Sequence, residues 1–179
     1  PLSRHQKARV KMLIADILVF DERFNEALIY YSQIQNEVKG DLLAQEARYK
    51  VAQTSYFKGD FNWAQIQLDV LKKSATQLIA NDAMYLSLMI KDNSLEDSTQ
   101  TALRHYARAD LFSLQGKEEE AILILENLLL NHKGEKIEDE ALLKLGELYE
   151  VKKAYAKAEK NYQILIEYVG TDFRGWQIQ

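Results

Sequence analysis

A chain with almost no helix breakers is confined to helices. The only proline is Pro1, and seven glycines are spread over 179 residues. Proline removes a backbone donor and clashes with the preceding turn, and glycine loosens a helix, so their scarcity leaves long stretches able to wind without interruption. Gly40, Gly59, Gly116, Gly134 and Gly170 fall where apolar helical runs stop, as expected of glycines that close helices in left-handed caps. The pattern predicts many helices joined by short turns.

The spacing of apolar residues predicts about nine of them, over 3–20, 24–38, 41–57, 61–77, 80–91, 97–115, 118–132, 136–152 and 155–169. Ala121, Ile122, Leu125, Leu128 and Leu129 recur at steps of three and four, as do Leu142, Leu145, Leu148 and Tyr149, which places each set on one helix face. Lys39-Gly40-Asp41, Gly59-Asp60, Asp92-Asn93-Ser94 and Lys133-Gly134-Glu135 separate the runs. Asp41 and Asp60 stand where an N-cap carboxylate accepts a backbone N–H. No alternating β-branched stretch competes as a strand.

The chain also repeats itself. A small residue returns early in the second helix of each pair, at Ala27, Ala64, Ala121 and Ala158. The first and last intervals are 37 residues and the middle one is 57, a pair plus one extra helix, read as residues 79–91. A shift of 94 residues lays Ala15-Asp16 on Ala109-Asp110, Glu26-Ala27 on Glu120-Ala121, Lys39-Gly40 on Lys133-Gly134, and Glu46-Ala47 on Glu140-Ala141. It also lays Lys50 on Lys144, Lys58 on Lys152, and Ala64 on Ala158, with no gap. Two blocks of two helix pairs, 3–77 and 97–169, flank the odd helix, and 170–179 forms a C-terminal extension. One pair cannot bury its own apolar face, so the pairs are expected to stack into a single array.

These residues resemble the tetratricopeptide repeat family over most of 5–169. The last pair matches best, with Leu142, Leu145, Gly146 and Tyr149 in the first helix and Tyr155, Ala158, Tyr162 and Leu165 in the second. Ala52, Gly59, Phe61, Ala64 and Leu71 match in the second pair, and Ala15, Leu18, Phe24, Ala27, Tyr31 and Ile34 in the first. The family's tryptophan position holds Lys11, Arg48, His105 and Leu142, and its closing proline is replaced by Lys39, Thr76, Lys133 and Gly170. The resemblance implies an all-α fold, a right-handed α-solenoid of antiparallel helix pairs. It also implies close crossings at which Gly146 faces Ala158 and Ala52 faces Ala64.

The resemblance further implies that the first helix of each pair lines a concave groove holding a peptide or protein segment. By position that groove takes Arg9, Met12, Asp16 and Val19 from the first pair and Glu46, Tyr49, Gln53, Tyr56 and Phe57 from the second. The third pair contributes Leu103, Tyr106, Asp110 and Ser113, and the fourth Glu140, Leu143, Glu147 and Glu150. Only Arg9 is cationic in this set, so the implied occupant has apolar anchors and some Lys or Arg. The plainer reading of Tyr49, Tyr56 and Tyr106 is packing between neighbouring pairs, since a tyrosine can bury its ring and still satisfy its hydroxyl. Where the family's chaperone-tail groove grips a C-terminal carboxylate with lysines and asparagines, this chain has Met12, Asp16, Tyr49 and Gln53, which do not suit that ligand.

Other chemistries find little support. The net charge of -4 gives no basic stripe for nucleic acid. The chain has no cysteine and only three histidines, His5, His105 and His132, none at zinc-ligand spacing. Residues 92–97 loosely resemble a calcium loop but lack its central glycine. Met84, Leu88 and Met89 give the odd helix a soft apolar surface, read as a spacer between blocks. Trp176 reads as a cap on an exposed end or as the start of a further helix. Hydrophobic residues make up 47% of the chain, which suits a packed fold, yet no apolar run is long enough to span a bilayer. The expectation is a non-enzymatic scaffold that binds a protein or peptide, with no cofactor, metal, nucleic acid or membrane insertion. Self-association, as a homo-oligomer or by docking on the rest of a longer chain, is the second reading. The start at Pro1 without a methionine reads as a fragment, which leaves the compartment open between cytoplasm and periplasm.

If the recurring alanines sit at helix crossings, Ala64→Leu and Ala158→Leu each overpack a contact and cost about 1–3 kcal/mol. Chemical denaturation measures this, and unchanged midpoints for both variants would remove the crossings.

Overall fold

The computed structural model describes residues 1–74, 76–94 and 99–175, with side chains excepted at 74 and 168–175. Among the described residues every regular element is a helix: α1 (Arg4–Phe20), α2 (Phe24–Glu37), α3 (Leu42–Lys58), α4 (Phe61–Ser74), α5 (Gln77–Ser94), α6 (Thr101–Leu114), α7 (Glu118–Asn131), α8 (Ile137–Val151) and α9 (Tyr155–Gly175). The all-α class follows. Most boundaries lie within a few residues of expectation. The odd helix is longer at both ends, and α9 runs through Gly170 to Gly175, so the predicted extension begins as helix. Residues 92–94 of the supposed calcium loop are the last turn of α5, whereas 95–97 and Trp176 lie outside the described residues.

Local chemistry fixes the helix starts. Ser3 Oγ accepts from Gln6 N–H at 3.2 Å while Gln6 Oε1 accepts from Ser3 N–H at 2.9 Å, a reciprocal cap that satisfies two donors. The Asp41 carboxylate accepts from Leu43 N–H at 3.2 Å at the start of α3, as its position suggested. Asp60 pairs with Lys58 Nζ at 3.0 Å.

The helices form two compact units, residues 1–92 and 93–179. In the first, α1 packs on α2, α2 on α3 and α3 on α4, and α1 also touches α3. Lys11 of α1 pairs with Glu37 of α2. Helix α5 is fastened to α4 by Ser87 Oγ, which accepts from Gln65 Nε2 at 2.7 Å and Lys72 Nζ at 3.0 Å. In the second unit α6 packs on α7, α7 on α8 and α8 on α9, and α6 touches α8. The same plan appears in each unit: consecutive helices pair, and the first helices of neighbouring pairs lie side by side. This is a solenoid-like stacking of helix pairs.

The repeated small residues are where that stacking is tightest. Ala27, Ala64, Ala121 and Ala158 are all buried, as are Ala15, Ala47, Ala109 and Ala141. Gly146 makes room for a neighbouring ring. A Cβ placed there would overlap the ring of Tyr162, one helical turn beyond Ala158. The equivalent positions in the first unit hold Ala52 and Leu68, both fully buried. A larger residue on α8's counterpart is matched by a smaller one on α9's counterpart, which conserves volume at the contact.

The backbone repeats as the sequence does. Gly40 and Gly134 have φ of 87° and 84°; Gly59 and Lys153 have 85° and 59°; Glu22 and Gly116 have 60° and 70°. Each pair is separated by 94 residues. The turns thus keep their left-handed residue even where glycine is present in only one copy.

Gly146→Ala is expected to destabilise the fold by about 1–3 kcal/mol through collision with Tyr162. Adding Tyr162→Leu, which recreates the Ala52/Leu68 combination, should recover most of that loss. Urea titrations of the single and double variants measure the coupling, and strictly additive losses would rule out the contact.

Candidate protein-binding surface

The first-helix face implied by the resemblance is only partly a surface. Met12, Tyr56 and Tyr106 are buried, at 6%, 1% and 3% exposure, which corrects their assignment to a groove. Met12 belongs to the core of the first unit with Ala8, Ala15 and Val19. Tyr56 stacks its ring obliquely between Phe57 and Phe61, with centroids 5.6 and 5.9 Å away. Tyr106 shares the buried part of α6 with Ala102, Leu103, Ala107, Ala109 and Leu111. Val19 and Leu103 are buried as well. For the tyrosines, the plainer packing role holds at Tyr56 and Tyr106.

What remains accessible is more polar. Glu46, Leu143 and Glu147 are exposed, and Asp16, Tyr49, Gln53, Phe57 and Asp110 are half-buried. The carboxylates are not a uniform acidic wall. Asp16 Oδ1 accepts from the Tyr31 hydroxyl at 2.6 Å and lies 3.3 Å from Lys50 Nζ. Asp110 Oδ1 lies 3.3 Å from Lys144 Nζ, which also approaches Glu147 at 3.9 Å. The two ion pairs are the same pair in each unit, joining α1 to α3 and α6 to α8. Arg9 is the one cation of the implied set, and Lys50 and Lys144, from outside it, pair with its central carboxylates. Both lysines had appeared in the 94-residue alignment, and the signal lay in reading them together with Asp16 and Asp110.

Two buried tyrosines tie second helices to first helices through carboxylates. Burial, reinforced by the hydrogen bond to Asp16, pushes the Tyr31 phenol well above its ordinary value. Burial, and then the hydrogen bond to Glu126, pushes Tyr149 up to about 12; its hydroxyl donates to Glu126 Oε1 at 2.5 Å.

Helix α1 also carries an apolar surface that the repeat register does not indicate. Val10, Leu13, Ile14, Ile17 and Phe20 are exposed, with Leu13 at 63% and Ile17 at 68%. They follow helical steps of three and four and occupy the side of α1 opposite Ala8, Met12, Ala15, Leu18 and Val19, which form its core side. Leu13 and Phe20 stand three and four residues from Asp16, so the stripe borders the first-helix face. The positions equivalent to Leu13 and Ile17 in the second unit are Ala107 and Leu111, and both are buried. A helix apolar on two opposite sides was the available sequence signal, because such a helix needs cover on both.

Among the described residues, no group of three His, Asp or Glu side chains is placed to hold a metal ion. No described helix is long and apolar enough to cross a membrane. No protein-family model matches the chain, and no curated protein matches it.

The tyrosine pKa shifts predict a pH dependence. A phenol whose folded value exceeds its unfolded value of about 10 contributes stability that is complete below that pH and is lost as pH rises through the folded value. Melting temperature should therefore fall above about pH 10. The Tyr31→Phe/Tyr149→Phe double variant should show a shallower fall across the same range. An identical slope in both proteins would mean that neither phenol is held above its ordinary value in the fold.

Proposed function

We propose that the chain is a protein-interaction scaffold of the tetratricopeptide-like kind, without catalytic activity of its own, and that its first unit holds a partner segment. The observation that carries this reading is the exposed stripe of α1. Five large apolar side chains on one helix face exceed the scattered exposure usual for a monomer and mark an interaction surface. The bordering polar set of Asp16, Lys50, Glu46, Tyr49 and Gln53 supplies charges of both signs and neutral donors, the mixture found at the rim of an interface. Leu13 and Ile17 act as anchors, and the ion pair between Asp16 and Lys50 keeps α1 and α3 in register beneath the bound segment.

The stripe also favours a second reading, self-association. Lys7 is exposed beside one end of the stripe and Asp21 beside the other. Two copies of α1 packed antiparallel would bring Lys7 of each near Asp21 of the other while the apolar residues meet at the centre.

A photo-reactive phenylalanine analogue placed at Leu13 or Tyr49 tests both. Crosslinking should occur from these sites and be absent from Glu159, an exposed position on α9. An adduct to a different protein supports the scaffold reading, and an adduct of two chains supports self-association. Absence of adducts from Leu13 and Tyr49, or equal yields from Glu159, would defeat the assignment of this surface.

A further inference from the structure

A second surface in the first unit is built unlike its counterpart in the other. Between α2, α3 and α4 runs an open cavity of about 330 Å³ lined in part by Gln35, Asn36, Arg48, Trp63 and Gln67. It shares Gln35 and Arg48 with a neighbouring cavity of about 260 Å³ at the α2–α3 turn, so the two form one groove. No carboxylate lines the larger cavity, where Arg48 is the one charged residue; the smaller one adds Lys39 and Asp41.

Asp41 and Gln45, which line the smaller cavity, are engaged by Leu43 N–H and Thr76 N–H, whereas the polar side chains of the larger one are free of such contacts. Arg48, Gln35, Asn36 and Gln67 make no side-chain hydrogen bond or ion pair among the described residues. Gln67 is 9% exposed. The repeat does not demand these residues. Positions equivalent to Gln35, Asn36 and Arg48 hold Leu129, Leu130 and Leu142, and Leu142 is buried at 3% exposure. The helix pairing is thus compatible with leucine where the first unit carries a guanidinium and two amides.

We infer that this groove binds an extended peptide segment through an acidic side chain. Arg48 offers a planar fork of donors to the carboxylate, the geometry guanidinium groups share with bidentate acceptors. The amides of Gln35, Asn36 and Gln67 can each both donate and accept, as a peptide backbone requires. Trp63, half exposed at the edge, presents an indole face to a neighbouring apolar side chain of the ligand. A ligand would replace the solvent at these groups with fixed partners. The surface is separate from the α1 stripe, and the inference stands or falls independently of the crosslinking result.

The test is selection of a displayed random-peptide library on the intact chain. The expected result is enrichment of peptides with Asp or Glu at one fixed position. Changing that residue to Asn or Gln in a selected peptide should weaken binding by roughly tenfold or more, with no change to the protein. Arg48→Leu, which restores the second unit's residue, should weaken the original peptide similarly and leave the melting temperature near that of the wild type. Failure to enrich any peptide, enrichment without a carboxylate, or indifference to the Asp/Glu replacement would overturn the inference. Inorganic phosphate forms the other arm. If it shifts the Arg48 Nε–H resonance while no peptide is enriched, the groove is a site for free anions and the peptide assignment is wrong.

Discussion

Close approach of helices at small residues is the constraint on which the architecture rests. Eight buried alanines stand in four equivalent pairs across the two units, at 15/109, 27/121, 47/141 and 64/158. A methyl group is the largest side chain that such crossings take without pushing the axes apart. Where α8 gives up even that at Gly146, the ring of Tyr162 fills the space. The contact is therefore conserved as a sum of volumes rather than as a residue type. That close packing also brings α1 alongside α3 and α6 alongside α8, near enough for Asp16 to reach Lys50 and for Asp110 to reach Lys144.

Much of the architecture was legible because helices and turns are local events. Pro1 and the placement of the glycines set the number of helices, and the apolar steps set their extents. The 94-residue repeat identifies equivalent helices without reference to any contact. The site was less legible, because facing direction is a property of pairs of helices. Met12, Tyr56 and Tyr106 have the chemistry of a binding face and are core residues. Which side of a first helix is covered depends on what lies beside it, and a position in a repeat register does not carry that information. The α1 stripe is hard to read in sequence for the opposite reason: Leu13 and Ile17 look like core residues there, and the described fold leaves them in solvent.

The charged groups divide in a related way. Asp16 and Asp110 serve the repeat itself, since each bridges the first helices of its unit. Arg48 follows no such rule, because its counterpart is a buried leucine. Residues that agree between the units describe the scaffold, and residues that differ describe what each unit has been given to do. By that criterion the groove beside Trp63 belongs to the first unit alone.

The left-handed turn residues carry a different kind of record. Glu22 and Gly116 share one conformation, as do Gly59 and Lys153. In one pair the first copy bears the strained side chain, and in the other pair the second copy does. A side chain held there sacrifices about 1 kcal/mol that glycine would keep, so neither unit has the least strained version of both bends. The likeness of the two units is written in the path of the main chain at positions where their amino acids differ.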